Sequence, residues 1–478
     1  MFVGVVLSKM PGTPEEWAAF LTDKVAAQTR YAEPFEIRYK NEFILPFVRK
    51  EYDEVYGKTL VDKVLAIQPP RTGVAATVVD ALAERMTVIG ATDEGDGTLT
   101  AAIEKCWYAN DLDVMHGEAH REALVKGRSF VIVWPGDDET PIVSVESAEQ
   151  VAVHRSMVPP YNVDAAIKTI ADEWTGERRA KLWLPGVMYD LTKTGSPGWK
   201  VESELKLPSK RVPVVEFQAQ PRLLEEPTSI IDSIKSMVDV VDFVEALMVL
   251  AGHFGAVPIR WTTGLVVPRD PNDPSKPALG PDGKPDVGFD PRASKLWAST
   301  STEAKFGQFL PATLEPYVTW AEHASARIRE RTGIASTYLS LDLKSHMSAE
   351  LLKTDEAPMV RKIDKMCAHG SFGAAWRQAM QIIAEITNPV LAKKYRVTPR
   401  WASPSTRIET QDAAVFSQLA PSLGVELCAR KILGWSPDEA AAGVEEATEY
   451  KLQQAAIDSE ALTSAVKPFS AGLLEPDL

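Results

Sequence analysis

The residues whose types and spacing could support chemistry are few, and the clearest are two histidines four positions apart. His116 and His120 would share one face of a helix, with Glu118 between them, and imidazole nitrogens at this spacing can bind a metal ion. The sequence offers no third ligand nearby. The competing interpretation, which we prefer, is an amphipathic helix surface with two partly exposed imidazoles. A metal-dependent hydrolase that uses His116 and His120 is therefore kept as an alternative function.

Motifs for nucleotide or covalent chemistry are missing from the sequence. The segment 280–285 contains two glycines and Lys284, but it lacks the spacing, the hydroxyl group and the following helix of a phosphate-binding loop. This argues against a packaging ATPase. Cys106, Cys367 and Cys428 are widely spaced and are interpreted as buried thiols. We predict no catalytic residue, no cofactor and no metal, and hence that the protein is not an enzyme.

Composition describes a folded, acidic chain. Its 478 residues are 45% hydrophobic and 25% charged, which predicts two to four packed substructures. The 66 acidic residues outnumber the 52 basic ones and give a formal net charge of -14, so contact with nucleic acid should be local or weak. The most apolar stretch, residues 237–251, is interrupted by three acidic residues, and neither a membrane segment nor an export signal is expected.

Two sets of side chains admit a functional and a structural interpretation. Five basic residues are interpreted as solvated charges or as salt bridges between subunits, and a patch that binds nucleic acid is the less favoured alternative. These residues are Lys126, Arg128, Arg155, Arg178 and Arg179. Four tryptophans are interpreted as anchors of subunit interfaces, and stacking on a ligand is the less favoured alternative. These residues are Trp297, Trp320, Trp376 and Trp401.

The first 220 residues predict one α+β domain. Helical patterns cover residues 15–64, 74–86 and 99–126. Short β-branched and aromatic runs predict an antiparallel sheet with strands at 130–134, 142–145, 151–154, 180–184, 187–193 and 212–217.

The second half of the chain is predicted to be mainly helical. A helix of about twenty residues should begin at Ser229, where Asp232 completes a capping-box-like pattern. Strand-like runs and a proline-rich loop at 268–291 separate it from a second helix at 314–332. A polar link then leads to a long helix at 347–386, which Pro358 should kink, and to an alanine-rich helical region.

The order of segments carries more information than any single motif. The sequence contains, in order, VVDALAER at 78–85, ALVKGRSFVIVW at 123–134, VPVVEF at 212–217, KLWA at 295–298, KFGQF at 305–309, RTGI at 331–334, MSAE at 347–350 and the stretch 401–413. Together these segments resemble the portal protein family of siphoviruses that infect actinobacteria, over about residues 39–443. The departures are the first 30 residues and the tail.

The resemblance implies an α+β fold with portal architecture and a structural function. It assigns residues 1–220 to a wing, 228–252 and 313–333 to two stem helices, 253–312 to a clip with its mobile loop at 268–291, 334–346 to a tunnel loop, 347–390 to a long kinked helix between wing and crown, 391–456 to a crown and 457–478 to a C-terminal tail. It further implies a virion protein at the capsid vertex, assembled in the host bacterial cytoplasm. A minor capsid protein is the alternative from the same class.

The resemblance also implies partners and site residues. The partners are further copies in a ring of twelve subunits, viral double-stranded DNA, the terminase large subunit, a head-tail adaptor, and the major capsid and scaffolding proteins, with no membrane. DNA-facing positions in the tunnel loop would be Ser336, Thr337, Ser340, Lys344, Ser345 and His346. Clip contacts to partners would be Arg269, Lys276, Lys284 and Trp297. Stem packing completed by neighbouring subunits would involve Ile234, Val238, Val241, Met248, Tyr317 and Ile328.

Overall fold

The computed structural model describes most of the chain outside its termini and several internal segments. The described residues are 10–42, 72–136, 140–193, 198–223, 225–256, 260–264, 269–271, 273, 275–276, 278–279, 302–309, 313–339, 349–405, 409–429, 432, 440–450 and 452–453. The predicted tail at 457–478 lies outside them.

The first helix, α1 (Pro14–Tyr39), begins at a complete capping box. Thr13 accepts a hydrogen bond from the backbone N–H of Glu16, and the Glu16 carboxylate accepts one from the backbone N–H of Thr13. The helix buries Trp17, Leu21 and Val25 against a β-sheet. The predicted helical pattern from residue 15 is confirmed as far as residue 39, and residues 43–71 lie outside the described part.

The next four elements are α2 (Val74–Ala83), β1 (Val88–Asp93), α3 (Thr98–Ala109) and α4 (Leu112–Lys126). The single helix predicted for 99–126 is wrong, because the chain turns between α3 and α4. Asp111 adopts a left-handed φ of 51°, a conformation that aspartate tolerates better than most residues. The Asn110 amide donates to the carbonyl oxygens of Cys106 and Pro141, which fixes the turn.

Two antiparallel sheets follow where one was predicted. Strands β2 (Arg128–Trp134), β3 (Ile142–Ser147) and β9 (Val214–Gln218) form a three-stranded sheet in the order β3-β2-β9. Strands β4 (Val151–Arg155), β5 (Val163–Ala171), β6 (Arg178–Leu184), β7 (Val187–Lys193) and β8 (Lys200–Lys206) form a five-stranded meander. The sequence reading missed β1, β5 and β8, and β8 is an edge strand whose charged residues hide the strand pattern.

The C-terminal half is mainly helical, with two short β segments. A 3₁₀ turn (Ile231–Ser233) precedes α5 (Lys235–Ala256), and β10 (Arg260–Thr263) pairs with β11 (Lys305–Gln308). Then follow α6 (Glu315–Thr332), α7 (Ser336–Leu339), α8 (Ala349–Cys367), α9 (Ser371–Thr387), α10 (Pro389–Lys394), β12 (Val397–Trp401), α11 (Glu409–Leu423) and α12 (Val425–Cys428). Residues 440–450 are also helical. None of the described helices is both long and apolar enough to cross a bilayer.

The start of the first predicted stem helix differs from the expected capping box. The buried Ser229 hydroxyl donates to the carbonyl oxygen of Leu124 at 3.1 Å and accepts from the N–H of Ile231 at 3.0 Å. Asp232 pairs instead with Lys235. Ser229 therefore ties the 3₁₀ turn to the end of α4, and the regular helix begins six residues later than predicted.

The long helix predicted for 347–386 is two helices, α8 and α9. Pro358 lies inside α8, and the chain breaks at residues 368–370 instead. A Cβ at Gly370 would meet the carbonyl oxygen of Lys365 at 2.2 Å, so only glycine fits this turn. The break lets α9 pack on the body of the protein, where it buries Phe372, Trp376 and Ile383.

The largest core joins the two halves of the sequence. Strand β12 pairs with β1, although its residues fall in the segment assigned to the crown. The Trp376 indole N–H of α9 donates to His120 Nε2 of α4 at 2.8 Å, and the His120 ring stacks on Phe372 at a centroid distance of 5.2 Å.

The two predicted stem helices, α5 and α6, pack against each other and against this core. Ile234, Val238, Val241 and Ile328 are buried within a single chain. The expectation that neighbouring subunits must cover these four side chains is therefore wrong, because the helix pair and the body already do so. Met248 and Tyr317 are half-buried, and Leu314, Val318 and Trp320 remain exposed on α6.

Acidification should weaken this core through His120. Because indole nitrogen can only donate, Nε2 of His120 must be an acceptor and the ring must be neutral. Burial, with a smaller contribution from His116, lowers the pKa of His120 to about 3, whereas an unfolded histidine titrates near 6.5. The unfolded state therefore binds the proton first as pH falls below about 6.5, and about 2 kcal/mol of stability should be lost between pH 7.5 and pH 5.

The measurement is urea unfolding at both pH values for the wild type, His120→Phe and a control, His369→Gln, whose side chain is exposed. His120→Phe should be less stable at pH 7.5, since the Trp376 N–H loses its acceptor, but its stability should fall less with pH. His369→Gln should keep the wild-type dependence. An equal pH dependence in His120→Phe would contradict this assignment.

Candidate functional site

The described parts of the predicted tunnel loop form its base. Helix α6 ends at Thr332, the Gly333 N–H donates to the carbonyl oxygen of Arg329 at 2.7 Å, and the chain forms the short helix α7. Helix α8 resumes at Ala349. Residues 340–348 lie outside the described part, so the structure shows how the loop is held and not its course.

Ser336 fixes the first part of the loop, just after α6, to α8. The Ser336 backbone N–H and hydroxyl both donate to Asp355 Oδ2, at 2.6 and 2.8 Å. A carboxylate that accepts two hydrogen bonds from the start of a helix stabilises that helix, because it satisfies an N–H group without an intrahelical partner. Ser336 was predicted to face DNA, but its hydroxyl is used in this anchor.

Arg85, at the end of α2, connects three segments that meet at the loop base. Its guanidinium donates to Glu356 Oε1 at 2.9 Å, to the Tyr338 hydroxyl at 3.2 Å and to the carbonyl oxygen of Pro404 at 3.0 Å. The hydrogen bond to Glu356 is the main cause of a raised pKa for Arg85. Glu356 is 4% exposed, so this ion pair is largely removed from water. Arg85 thus joins the N-terminal α+β domain to the loop base and to the segment that follows β12.

Lys362 makes the remaining anchor of the loop base. Its ammonium group donates to the carbonyl oxygen of Thr332 at 3.0 Å, at the C-terminus of α6. A cation at this position interacts favourably with the helix dipole. Burial lowers the pKa of Lys362 to about 8. The end of α6 and the middle of α8 are thus held together by a polar contact that is mostly shielded from solvent.

The predicted loop residues are placed only in part. Ser336 is engaged with Asp355, and Thr337 is half-buried. Ser340, Lys344, Ser345 and His346 lie outside the described residues. Sequence reasoning missed the anchors, although Arg85 did give a signal: it falls on the apolar side of the α2 pattern, where a charge needs a buried partner.

The predicted clip contains a two-stranded ribbon, β10 and β11. Trp261 lies opposite Gly307, and a Cβ at Gly307 would meet the indole at 2.5 Å, so the ring lies directly over the glycine. Trp261, Phe306 and Phe309 are partly or largely exposed. Of the predicted partner contacts, Arg269 donates to the carbonyl oxygen of Ser275 and Lys276 pairs with Asp273, while Lys284 and Trp297 lie outside the described residues.

The paired histidines do not form a metal site. His116 and His120 are buried at 6% and 0% exposure, so the prediction of partly exposed imidazoles is wrong. His116 Nδ1 contacts the carbonyl oxygen of Leu112 at 2.7 Å, and His120 receives the Trp376 N–H. Among the described residues, no three potential ligands are grouped closely enough to hold a metal. Both histidines belong to the aromatic core, and they were overlooked as core residues because histidine is polar.

Three of the basic residues of the N-terminal α+β domain form salt bridges with acidic residues of the same chain. Arg128 binds Glu216 and Glu226, Arg155 binds Glu216, and Lys126 binds Glu122 and Glu149. The interpretation as salt bridges between subunits is thus wrong for these three residues, because their acidic partners lie in the same chain. Of the predicted interface tryptophans, Trp376 is in the core, Trp401 is half-buried, Trp320 is exposed and Trp297 lies outside the described residues.

Comparison with known proteins shows which family the chain belongs to. The phage portal protein family described as SPP1 Gp6-like matches residues 71–459. The chain therefore belongs to this phage portal protein family. This confirms the resemblance found in the sequence and the prediction of a structural rather than an enzymatic protein, and it makes the protein a component of the virion.

Individual relatives carry the same description. The chain is 27% identical over 350 residues to the portal protein of Mycobacterium phage L5. The aligned region covers 69% of this chain and 68% of the relative. It is 24% identical over 348 residues to the portal protein of Mycobacterium phage D29, with the same coverage of both chains. It also has a weak similarity to a chain in the neck of an empty gene transfer agent particle, with a TM-score of 0.45, 13% identity and coverage of 80% of this chain and 94% of the other.

The ion pair at the loop base should stabilise the fold more than a surface pair does. Glu356→Gln leaves the half-buried Arg85 guanidinium without its counter-charge, and we expect a loss of about 3 kcal/mol in the free energy of unfolding. The matched control is Glu225→Gln, which breaks an exposed pair with Arg222 and should cost less than about 1 kcal/mol. Urea unfolding of the two variants measures the difference. Equal losses would show that the Arg85 pair is no stronger than a surface contact.

Proposed function

We propose that copies of this chain assemble into a ring of twelve subunits at the capsid vertex, through which double-stranded DNA enters and leaves the virion. The observation that carries the proposal is the order of parts around α5 and α6 in a chain of the portal protein family. The helix pair is joined through a chain that contains the aromatic β-ribbon, and it leads directly into a loop whose base is tied down.

The anchored loop base suits a loop that contacts a moving duplex. Asp355, Glu356 and Lys362 hold the residues next to the loop to α8, and Arg85 holds them to the body. Forces on a loop fixed in this way would be transmitted to the body of the ring instead of unravelling α6. We propose Lys344 and His346 as DNA-facing residues of this loop, together with the hydroxyl groups of Thr337, Ser340 and Ser345.

The net charge supports a ring through which DNA passes, instead of one that binds DNA tightly. A ring of chains that each carry a formal charge of -14 would repel the phosphate backbone over most of its surface. Each phosphate neutralised by a fixed cation adds affinity, so many such contacts would arrest a duplex. A few cations on a loop would guide DNA without holding it.

The remaining partners follow from the proposed position in the particle. The exposed aromatic residues of the β-ribbon, Trp261, Phe306 and Phe309, are the residue type that anchors protein interfaces, and we assign this ribbon to the terminase large subunit and the head-tail adaptor. Arg269, Lys276, Lys284 and Trp297 would extend the same contact. Major capsid and scaffolding proteins would surround the ring, which would assemble in the host bacterial cytoplasm.

Ring assembly is the first test, and α6 offers a specific variant. Trp320 is 63% exposed on a helix that also exposes Leu314 and Val318, and burying this indole against a neighbour would favour the ring. Mass photometry and negative-stain electron microscopy should show rings with twelve times the mass of the 52.4 kDa chain. Trp320→Ser should raise the protein concentration needed for assembly about tenfold.

Leu223→Ser is the control for this experiment, since Leu223 is 94% exposed outside the helix pair and should leave assembly unchanged. A wild-type chain that stays monomeric or dimeric at high concentration would refute the ring. Rings that form equally well with Trp320→Ser would remove α6 from the interface.

The loop itself is tested by a deletion that spares its base. Replacing residues 340–346 with a short glycine linker should strongly reduce the DNA packaged per particle but leave rings intact, because Ser336 and Asp355 still hold the loop base. The readouts are packaged DNA in a complementation assay and ring formation by microscopy. Ser336→Ala is the comparison, since it removes only the hydroxyl bond to Asp355. Normal packaging by the deletion variant would refute a role of the loop in DNA translocation.

A further inference from the structure

The five-stranded sheet exposes a tryptophan at one of its ends. The turn between β5 and β6, residues 172–177, carries Trp174 with 96% of its surface exposed. The turn is stabilised by its own hydrogen bonds: the Asp172 carboxylate accepts from the N–H groups of Trp174 and Thr175, at 2.9 and 3.0 Å. These bonds lower the pKa of Asp172. A turn that is held by its own hydrogen bonds loses little backbone conformational entropy when its exposed indole binds a partner.

The opposite end of the same sheet carries a cleft of about 460 Å³. It is lined by Tyr161 from the β4–β5 connection, by Val212 and Val214, and by Gln378 and Ile382 of α9. This volume falls within the range of about 300 to 1,000 Å³ that is usual for binding sites. Met157 and Val158 stand exposed in the same connection as Tyr161. The cleft therefore combines charged and polar lining groups with a few apolar side chains, beside an apolar rim.

The backbone at the cleft is held in an uncommon conformation. Tyr161 has a φ of 59°, a left-handed conformation that is unfavourable for a bulky side chain. The Tyr161 N–H donates to the carbonyl oxygen of Val158 at 3.0 Å, which closes the turn. Non-glycine residues in this region of conformational space cluster at binding sites.

The charges at the two ends are complementary. Arg155, Lys210 and Arg211 line the cleft; Arg155 is paired with Glu216 and Arg211 with Glu385. Asp164 also lines it. The turn carries Asp172, Glu173 and Glu177, with Arg179 close to the first and third of these. Among the ion pairs of the described residues, neither Lys210 of the cleft nor Glu173 of the turn takes part.

We propose that the 172–177 turn of one subunit docks into this cleft of the next subunit, with Trp174 in the cleft and Glu173 against Lys210. Strand β5 has nine residues and separates the two surfaces by about 30 Å, so they lie at opposite ends of one subunit. Two different surfaces at opposite ends make a head-to-tail contact, which closes into a ring when the rotation fits. This inference rests on the proposed ring and adds a contact between neighbouring wings.

Cysteine cross-linking tests the contact independently of ring formation. In a Thr175→Cys, Asn162→Cys double variant, which keeps both Glu173 and Lys210, a short bismaleimide should link each subunit to the next and give a ladder of covalent oligomers on a denaturing gel. The single variants should give no ladder, and the three native cysteines are buried. A link within one chain is prevented by the distance along β5. Rings without a ladder would overturn the docking and leave the ring proposal intact, whereas absence of rings would refute the ring itself.

Side-chain variants test the chemistry of the contact. Trp174→Ser should raise the concentration for half-assembly about tenfold without altering the monomer fold, since the indole touches solvent only. Glu173→Lys and Lys210→Glu should each weaken assembly, and the combined variant should recover most of the loss. Unchanged assembly in Trp174→Ser, or no recovery in the charge-reversed pair, would contradict the proposal and assign the exposed turn to another partner.

Discussion

The packing of the C-terminal helices on the N-terminal domain is directed by one buried hydrogen bond, from the Trp376 indole to His120. The donor lies on α9 and the acceptor on α4, 256 residues apart in the chain. Phe217, Phe372 and Trp107 surround the pair, and both side chains are 0% exposed. A buried polar pair of this kind penalises any arrangement in which α9 is displaced, because both groups would then lack partners. It therefore specifies how the C-terminal helices sit on the N-terminal body.

Once α9 is fixed, the neighbouring contacts have little freedom. The Ser371 hydroxyl at the start of α9 donates to the carbonyl oxygen of Gln218, and β12 beyond α9 reaches β1. Helix α8, on the other side of the break at Gly370, is brought over the end of α6, where Glu356 meets Arg85 and Lys362 meets Thr332. The loop base is thus positioned by the core through a series of directional bonds. A loop between two helices could not be held this firmly by apolar packing alone, since apolar contacts tolerate sliding.

The sequence predicted those parts whose signal is local. Helix α6 was predicted almost to the residue, because apolar periodicity runs up to Gly333. The errors arose where distant residues decide the outcome. The turn at Asp111 depends on Asn110 reaching Pro141, and the two sheets separate although their strands follow one another in sequence. Of the loop base, only Arg85 was noticeable as a charge on an apolar face; its partner Glu356 lies 271 residues away and sits on a helix rich in other charges.

The distribution of charge is compatible with the proposed ring of acidic chains around DNA. The half-buried Arg85 and the buried Arg128 are paired with carboxylates in the same chain, so they add specificity to the fold without adding attraction for phosphates. Exposed apolar groups remain at separate places, on α6, on the β-ribbon and at the 172–177 turn. Because these places do not coincide, one subunit can meet several partners at once, as a heterologous ring with axial partners requires. In the proposed ring, attraction between subunits would rest on apolar surface, while the like charge of the chains would keep a phosphate backbone from binding along their length.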